Sequence, residues 1–238
     1  MAGNSDKIRM EALRRDIRHL LHFTQVYNLP GIVRRGLLSR DGIEASDVAA
    51  YGSGRGRADG RDGAVSLSVT SVYPKMFESK RRASGHPHWV VLLLDPSILW
   101  THRCRFCWRS AASREILDRR SYLEGPWAFG RMFADDEPPQ SYNGSSYRGE
   151  TGIPDCLPTY PDAEVQVLNA IDPGLIVEAW VDRRDHAEEI DGLLAGLPGG
   201  ERDVCIAPFG TVSNGHREWM VPLHRWREPE ESRLRPLR

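Results

Sequence analysis

The chain has 238 residues, of which 40% are hydrophobic and 27% charged, and its formal net charge is −1. This predicts a globular protein with one sizeable domain or two small ones, and no global basic field points to nucleic acid. No apolar run approaches the ~20 residues of a membrane helix. The charged first residues do not resemble a secretory signal, and four cysteines do not make a disulfide framework, so a cytoplasmic protein is expected.

The first predicted elements are a charged surface helix over residues 5–16 and a buried strand that begins at Leu20. Alternation places His22 and Thr24 on one face of that strand, with Phe23 on the other. Arginine outnumbers lysine in the chain, so an anion site would favour planar, bidentate recognition.

A short helix is predicted directly after this strand. Asn28 suits an N-cap, Pro30 suits the first turn, and Gly36 suits the residue that ends the helix. The strand would therefore carry His22 and Thr24 towards a helix N-terminus, where free N–H groups suit a phosphate.

Residues 40–63 form a polar stretch that ends in a segment rich in glycine and arginine. Its composition predicts a mobile loop. Two interpretations stay open: a solvated linker, or an arginine-bearing loop beside a phosphate, with Arg55, Arg57 and Arg61 as the candidates.

Residues 64–70 alternate apolar and polar side chains, which predicts a half-buried strand. A turn follows with Lys75, Met76 and Phe77. Met76 and Phe77 are either core residues or part of a site, and Lys75 is either a surface charge or a residue that reaches a diphosphate.

Residues 88–94 predict a fully buried central strand. Cys104 and Cys107 have the C-x₂-C spacing of zinc ligands, but only His102 lies near in sequence to complete a set. We therefore expect no metal and favour packing of Cys107 in the core. Aromatic residues after a helix at 113–117 predict a further packing surface.

Residues 134–162 are polar and rich in proline and glycine, which predicts a long loop. It is either a surface insertion or a binding loop. Tyr142, Tyr147 and Tyr160 could stack on bases or anchor the loop, and Arg148 could contact backbone phosphates.

The remaining predicted elements form an α/β pattern without internal repeats. We predict strands over residues 163–168, 175–181 and 203–208, a helix over 183–195, a further strand over 219–226, and a loose charged tail. Glu164 lies on the first of these strands, where on its own it would be read as an exposed strand residue.

Four segments, in this order, resemble the DarT family of DNA ADP-ribosyltransferase toxins. They are HFTQVYNLPGIVRRGLLS, SLSVTSVYPKMF, FCWRSAAS and PTYPDAEVQVLNAI. The resemblance covers roughly residues 18–181. The glycine and arginine loop departs from the family pattern, so the arginine that binds phosphate is not identified by it.

The resemblance implies a mixed α/β fold of one ADP-ribosyltransferase domain over residues 1–238, with a core of about 17–227. The sheet would be split and mostly antiparallel, with flanking helices. It implies NAD as co-substrate and Glu164 as the catalytic carboxylate. The implied cofactor-binding residues are His22, Phe23, Thr24, Asn28, Leu37, Arg57, Lys75 and Met76, and the implied substrate-binding residues are Tyr142, Tyr147 and Arg148.

The implied activity is transfer of ADP-ribose from NAD to a nucleobase in single-stranded DNA, with release of nicotinamide. A base must leave the stack to be modified, which favours a single strand. The implied partner is a macrodomain antitoxin. Transfer to RNA or protein, and a nucleic-acid-binding module without activity, are the alternatives.

Overall fold

The structure, a computed structural model, describes residues 3–46, 59–60, 63–135, 147–214, 216–226 and the backbone of 235–236. Within these residues the α-helices are α1 (Asn4–Arg14), α2 (Leu29–Arg35), α3 (Arg40–Glu44), α4 (Pro74–Ser84), α5 (Ile98–Thr101), α6 (Arg114–Leu117), α7 (Gly125–Arg131), α8 (Tyr147–Thr151) and α9 (Ala187–Ala195). The strands are β1 (Leu20–Gln25), β2 (Val65–Val69), β3 (Trp89–Leu94), β4 (Cys104–Cys107), β5 (Glu164–Val167), β6 (Ile176–Val181), β7 (Asp203–Ile206), β8 (Thr211–Asn214), β9 (Arg217–Met220) and β10 (Arg235–Pro236).

A seven-stranded sheet in the order β4-β5-β2-β1-β3-β6-β7 forms the centre of the fold. Only the pair β6 and β7 is parallel, so the predicted mostly antiparallel α/β architecture is confirmed. β1 pairs with β3 along all six residues, whereas its ladder with β2 contains only Leu20–Val69 and Leu21–Ser68. The sheet is therefore divided into two halves that are joined by two residue pairs.

Apolar residues pack on both faces of the sheet. The main core covers one face and combines alternate residues of the strands with α1, α2, α5, α7 and α9. A smaller core on the other face contains Phe77 of α4, Trp89 and Trp180. Burial on both faces explains why every residue of β3 is apolar, since a central strand covered on each side has no solvent-facing position.

A second sheet of three strands, in the order β10-β8-β9, follows the large one in the chain. Its hairpin packs Val212, Trp219 and Val221 against Ile153 and Leu157 of the predicted loop. The C-terminal segment is also fixed to the large sheet. Buried Glu178 of β6 accepts from Arg225 Nε at 2.6 Å and from His224 Nε2.

Several elements differ from the sequence predictions. The turn around Met76 is the start of α4, because Pro74 occupies its first position and needs no helical hydrogen-bond partner. The polar stretch 40–63 begins with α3, which Ser39 caps by accepting from the Gly42 amide at 3.2 Å. The predicted strand 219–226 ends at Met220 as part of β9, and residues 134–162 contain α8.

No helix within the described ranges is long and apolar enough to cross a membrane.

Candidate active site

Glu164 is the first residue of β5 and lies beside the division of the sheet. Val165 and Val167 point into the main core, so alternation turns Glu164 to the opposite face, where it is half-buried. Its Oε2 accepts from Ser66 Oγ at 2.7 Å, and its Oε1 accepts from the Ala111 amide at 2.7 Å. One donor from β2 and one from the loop after β4 thus fix the carboxylate.

His22 lies at the point where the ladder between β1 and β2 ends. Its Nδ1 is 3.0 Å from the carbonyl oxygen of Ser66. Burial lowers the pKa of His22 below its usual 6.5, which favours the neutral ring. Because a carbonyl only accepts, Nδ1 carries the proton and Nε2 presents a lone pair.

Ser66 therefore connects the two halves of the sheet at the candidate site. Its hydroxyl donates to Glu164, and its carbonyl accepts from His22. Ser66 was not among the predicted site residues. The available signal was the alternation of residues 64–70, which places this serine on the polar face of β2.

Thr24 and Asn28 form the second part of the site on β1. The Asn28 Nδ2 donates to Thr24 Oγ1 at 2.9 Å. Asn28 makes no side-chain cap to α2, contrary to the prediction. A 3₁₀ turn over Val26–Asn28 precedes α2, so the Asn28 backbone is already helical and its amide is directed to the strand instead.

The prediction that Gly36 ends α2 is confirmed. Its φ is +82°, a value that L-residues rarely adopt, and an added Cβ would lie 2.2 Å from the Ile171 carbonyl oxygen. The next residue, Leu37, is buried in the main core and exchanges backbone hydrogen bonds with Ile171 at 2.9 and 3.0 Å.

The turn before β5 is bound to the loop after β4. Arg109 pairs with Asp162 at 3.1 Å, and Asp162 also accepts from the Ser110 amide at 3.1 Å. With the Ala111 bond, these contacts tie the start of β5 to the loop after β4. Ala111 was also missed as a site residue, although it belongs to the FCWRSAAS segment.

Gln166 shares a face of β5 with Glu164 and is completely buried. Its Nε2 donates to the carboxylate of Asp59, and Arg120 Nη2 lies 3.4 Å from the Asp59 carbonyl oxygen. Asp59 is therefore bound to β5, the strand that carries Glu164. Arg55, Arg57 and Arg61 lie outside the described residues.

The other predicted cofactor residues have different surroundings. Phe23 is half-buried and packs edge-on against Phe77 with ring centroids 5.2 Å apart. Lys75 is exposed in the first turn of α4, and Met76 is half-buried. Phe77 is fully buried, which agrees with its interpretation as a core residue.

Of the predicted substrate residues, Tyr142 lies outside the described chain, and Tyr147 and Arg148 have partners within the protein. The Tyr147 hydroxyl donates to the Asn214 carbonyl at 3.0 Å. Arg148 has a side chain only 9% exposed, and it donates to the carbonyl oxygens of Leu157 and Pro154, each at 2.9 Å. Burial lowers the pKa of Arg148 to about 10. The guanidinium that was predicted to contact phosphates thus donates to carbonyl oxygens of its own loop.

Within the described residues, one group of side chains lies close enough together to ligate a metal ion: Glu178, Cys205 and His224. Arg225 already pairs with Glu178, so a cation is present there and we explain the group as an ion-pair cluster. Cys104 of the C-x₂-C segment is buried and its thiol contacts the Ile98 carbonyl at 3.5 Å. Burial raises the pKa of Cys104 to about 12, which disfavours the thiolate that zinc needs.

Comparison with known proteins finds one matching family and solved structures with a similar fold. The family model described as "ssDNA thymidine ADP-ribosyltransferase, DarT" matches residues 21–213. The structure of Thermus sp. 2.9 DarT in complex with carba-NAD+ is 17% identical with a TM-score of 0.50, over 80% of this chain and 96% of that chain. This likeness shows the fold. Among curated proteins, none matches the sequence.

Two further structures resemble the chain more weakly. Thermus sp. 2.9 DarT in complex with ADP-ribosylated ssDNA is 17% identical with a TM-score of 0.46, over 80% of this chain and 94% of that chain. Thermosipho africanus DarTG in complex with ADP-ribose is 16% identical with a TM-score of 0.46, over 81% of this chain. The chain spans 50% of the length of that Thermosipho protein.

Proposed function

The chain belongs to the DarT family of ssDNA thymidine ADP-ribosyltransferases, and we propose that it transfers ADP-ribose from NAD to a base of single-stranded DNA through Glu164. The observation that carries this proposal is the fixed carboxylate of Glu164, held by Ser66 Oγ and the Ala111 amide. It lies within the residues that the family model matches.

The chemistry requires a carboxylate at this position. Breaking the bond between nicotinamide and ribose develops positive charge on the ribose, which a nearby carboxylate stabilises. The carboxylate of Glu164 then accepts the proton that the attacking base loses, a general-base contribution of ~10²–10⁴-fold. The products are ADP-ribosylated DNA, free nicotinamide and one proton.

We assign the NAD side of the site to β1. The neutral His22 offers Nε2 as an acceptor for a ribose hydroxyl, and its proton is directed at Ser66. Thr24 and Asn28 hold each other by a hydrogen bond and would contact the nicotinamide end as a unit. Phe23, Leu37, Lys75, Met76 and Arg57 complete the proposed cofactor set, of which Arg57 lies outside the described residues.

The acceptor we propose is thymidine, which follows from the family description. A similar protein, Thermus sp. 2.9 DarT, has a structure in complex with ADP-ribosylated ssDNA. Cytoplasmic location and a macrodomain antitoxin that reverses the modification are parts of the same proposal. The similar protein from Thermosipho africanus is DarTG.

The test is incubation of the purified chain with NAD labelled in the adenosine part. Matched oligonucleotides would be all-thymidine, thymidine-free, double-stranded DNA and RNA, with a cell lysate as the protein acceptor. We expect a mass increase of one ADP-ribosyl group on the thymidine-containing single strand, and none with Glu164→Gln. Modification of RNA or protein alone would replace DNA as the acceptor, and label on no acceptor would reject transferase activity.

A further inference from the structure

A half-buried arginine of the C-terminal hairpin lies between two aromatic rings. Arg217 of β9 places its guanidinium carbon 3.8 Å from the ring centre of Tyr147 and 4.2 Å from that of Tyr160. Its Nη1 also donates to the Thr159 carbonyl at 2.8 Å. Arg217 lies beyond residues 21–213, which the family model matches.

The two rings belong to the two ends of the segment that leads to Glu164. Tyr147 is the first residue of α8, and Tyr160 lies in the turn before β5. A single guanidinium thus contacts both ends of residues 147–160. Planar stacking of this kind is a property of arginine that lysine does not reproduce.

The Tyr160 ring continues the contact towards the catalytic carboxylate. The guanidinium carbon of Arg109 lies 4.2 Å from the centre of the same ring. Arg109 in turn pairs with Asp162 at 3.1 Å, two residues before Glu164. The contacts therefore run from Tyr147 through Arg217, Tyr160 and Arg109 to Asp162. Asp162 lies in the turn that directly precedes Glu164.

We propose that Arg217 is a positioning residue that holds segment 147–163 in the arrangement in which Glu164 meets the DNA base. The proposal rests on the proposed function, because it assigns this segment to the DNA side of the same site. In this proposal Tyr147 and Tyr160 are partners of Arg217 and do not stack directly on DNA bases.

The hairpin has other contacts that keep it folded without Arg217. Val212, Trp219 and Val221 are completely buried and pack in the third hydrophobic cluster with Ile153 and Leu157. Replacement of Arg217 by methionine retains the apolar stem and removes the planar cation. The variant should therefore fold and lose the stack and the bond to Thr159.

The test compares Arg217→Met with Arg81→Met, which removes an arginine that also contacts two rings, Phe77 and Phe209, at 5.4 and 5.5 Å. For Arg217→Met we expect faster amide exchange within 147–163 only. The rate of DNA modification at saturating NAD should fall about tenfold or more, and the NAD dissociation constant should stay within about twofold of wild type. Arg81→Met should change neither the exchange nor the rate.

Substitutions of Tyr160 test the same stack from the side of the ring. Tyr160→Phe keeps the ring and should match wild type, Tyr160→Leu should match Arg217→Met, and the double variant with Arg217→Met should be no slower than the slower single variant. The proposal would be overturned if Arg217→Met showed the same amide exchange and the same rate of DNA modification as the wild type. Faster amide exchange throughout the protein would also overturn it. If the wild type modifies no DNA, the proposed function fails separately, and the exchange experiment still decides whether Arg217 holds the segment.

Discussion

The two halves of the divided sheet hold their site residues in different ways. Glu164 is fixed by polar contacts from Ser66 and Ala111, which come from two other elements. His22 and Thr24 lie on β1, which is paired along its whole length with the entirely buried β3. Polar contacts around Glu164 can be removed one at a time, whereas a change on β1 also disturbs the core. Activity and stability should therefore separate more cleanly on the Glu164 side.

The largest effect is expected for Glu164→Gln. The amide keeps an oxygen that can accept from Ala111, so the fold and NAD binding should remain, and transfer should fall by ~10²–10⁴-fold because the general base is lost. Melting temperature, calorimetric NAD affinity and the rate of oligonucleotide modification measure the three quantities. Transfer at the wild-type rate would remove Glu164 from the mechanism.

Ser66→Ala should have the next largest effect. It deletes the donor to Glu164 Oε2 and leaves the Ser66 carbonyl to accept from His22. We expect transfer to fall by ~10–100-fold, since a misplaced catalytic group loses its alignment with the substrate. Single-turnover rates at saturating NAD measure this loss.

Ser68→Ala is the matched control for Ser66→Ala. Ser68 lies on the same strand and face, and is also half-buried, so both changes remove one hydroxyl from β2. Equal losses in the two variants would contradict a specific link between Ser66 and Glu164.

On the other half of the sheet, His22→Asn should act on NAD binding. The asparagine amide retains a donor near the position of Nδ1 and removes the acceptor at Nε2. Loss of one hydrogen bond of about 1 kcal/mol should weaken NAD binding about fivefold. Isothermal titration calorimetry checks this, and an unchanged dissociation constant would exclude His22 from the NAD site.

The smallest effect on transfer is expected at His19, which precedes β1. Its side chain is buried, and burial lowers its pKa from 6.5 to about 4. The unfolded chain therefore binds the proton first, and the free energy of unfolding should decrease as the pH falls from about 6.5 towards 4, by up to about 3 kcal/mol. His22 adds to this loss in the same direction, because its pKa is also lowered.

Chemical denaturation of wild type and His19→Gln across this pH range measures the effect. The stability of the variant should depend less on pH between about 6.5 and 4.5 than that of the wild type. Glu178, with a pKa below its usual 4.5, contributes in the same direction at lower pH. An identical slope in His19→Gln would assign the loss to other groups.

The strands of this fold could be predicted from the sequence because their patterns are local. The alternation of residues 64–70 and the continuous apolar run before Leu94 each predict a strand directly. Glu164 was predicted as the catalytic residue only from the resemblance to a family, because its own sequence pattern is that of an exposed strand residue.

Contacts between distant parts of the chain could not be predicted in this way. From the sequence, Arg148 is a surface charge in a polar stretch. In the structure its guanidinium donates to four oxygens of its own loop: the carbonyls of Leu157, Ile153 and Pro154 and the hydroxyl of Thr159. The partners of Arg217 are 70 and 57 residues away in the numbering, at Tyr147 and Tyr160. Periodicity carries no information about such pairs, because it reports which side of an element is buried and not what covers it.

The ion pairs of Glu178 bear on how far the folded part of the chain extends. The family resemblance stops at residue 213, but His224 and Arg225 lie beyond that limit and supply the partners of a carboxylate whose side chain is only 4% exposed. A chain shortened to the region of similarity would leave that negative charge enclosed without a counter-ion, a severe cost for a small fold. We therefore expect the cooperative folding unit to extend beyond residue 213, to include Arg225.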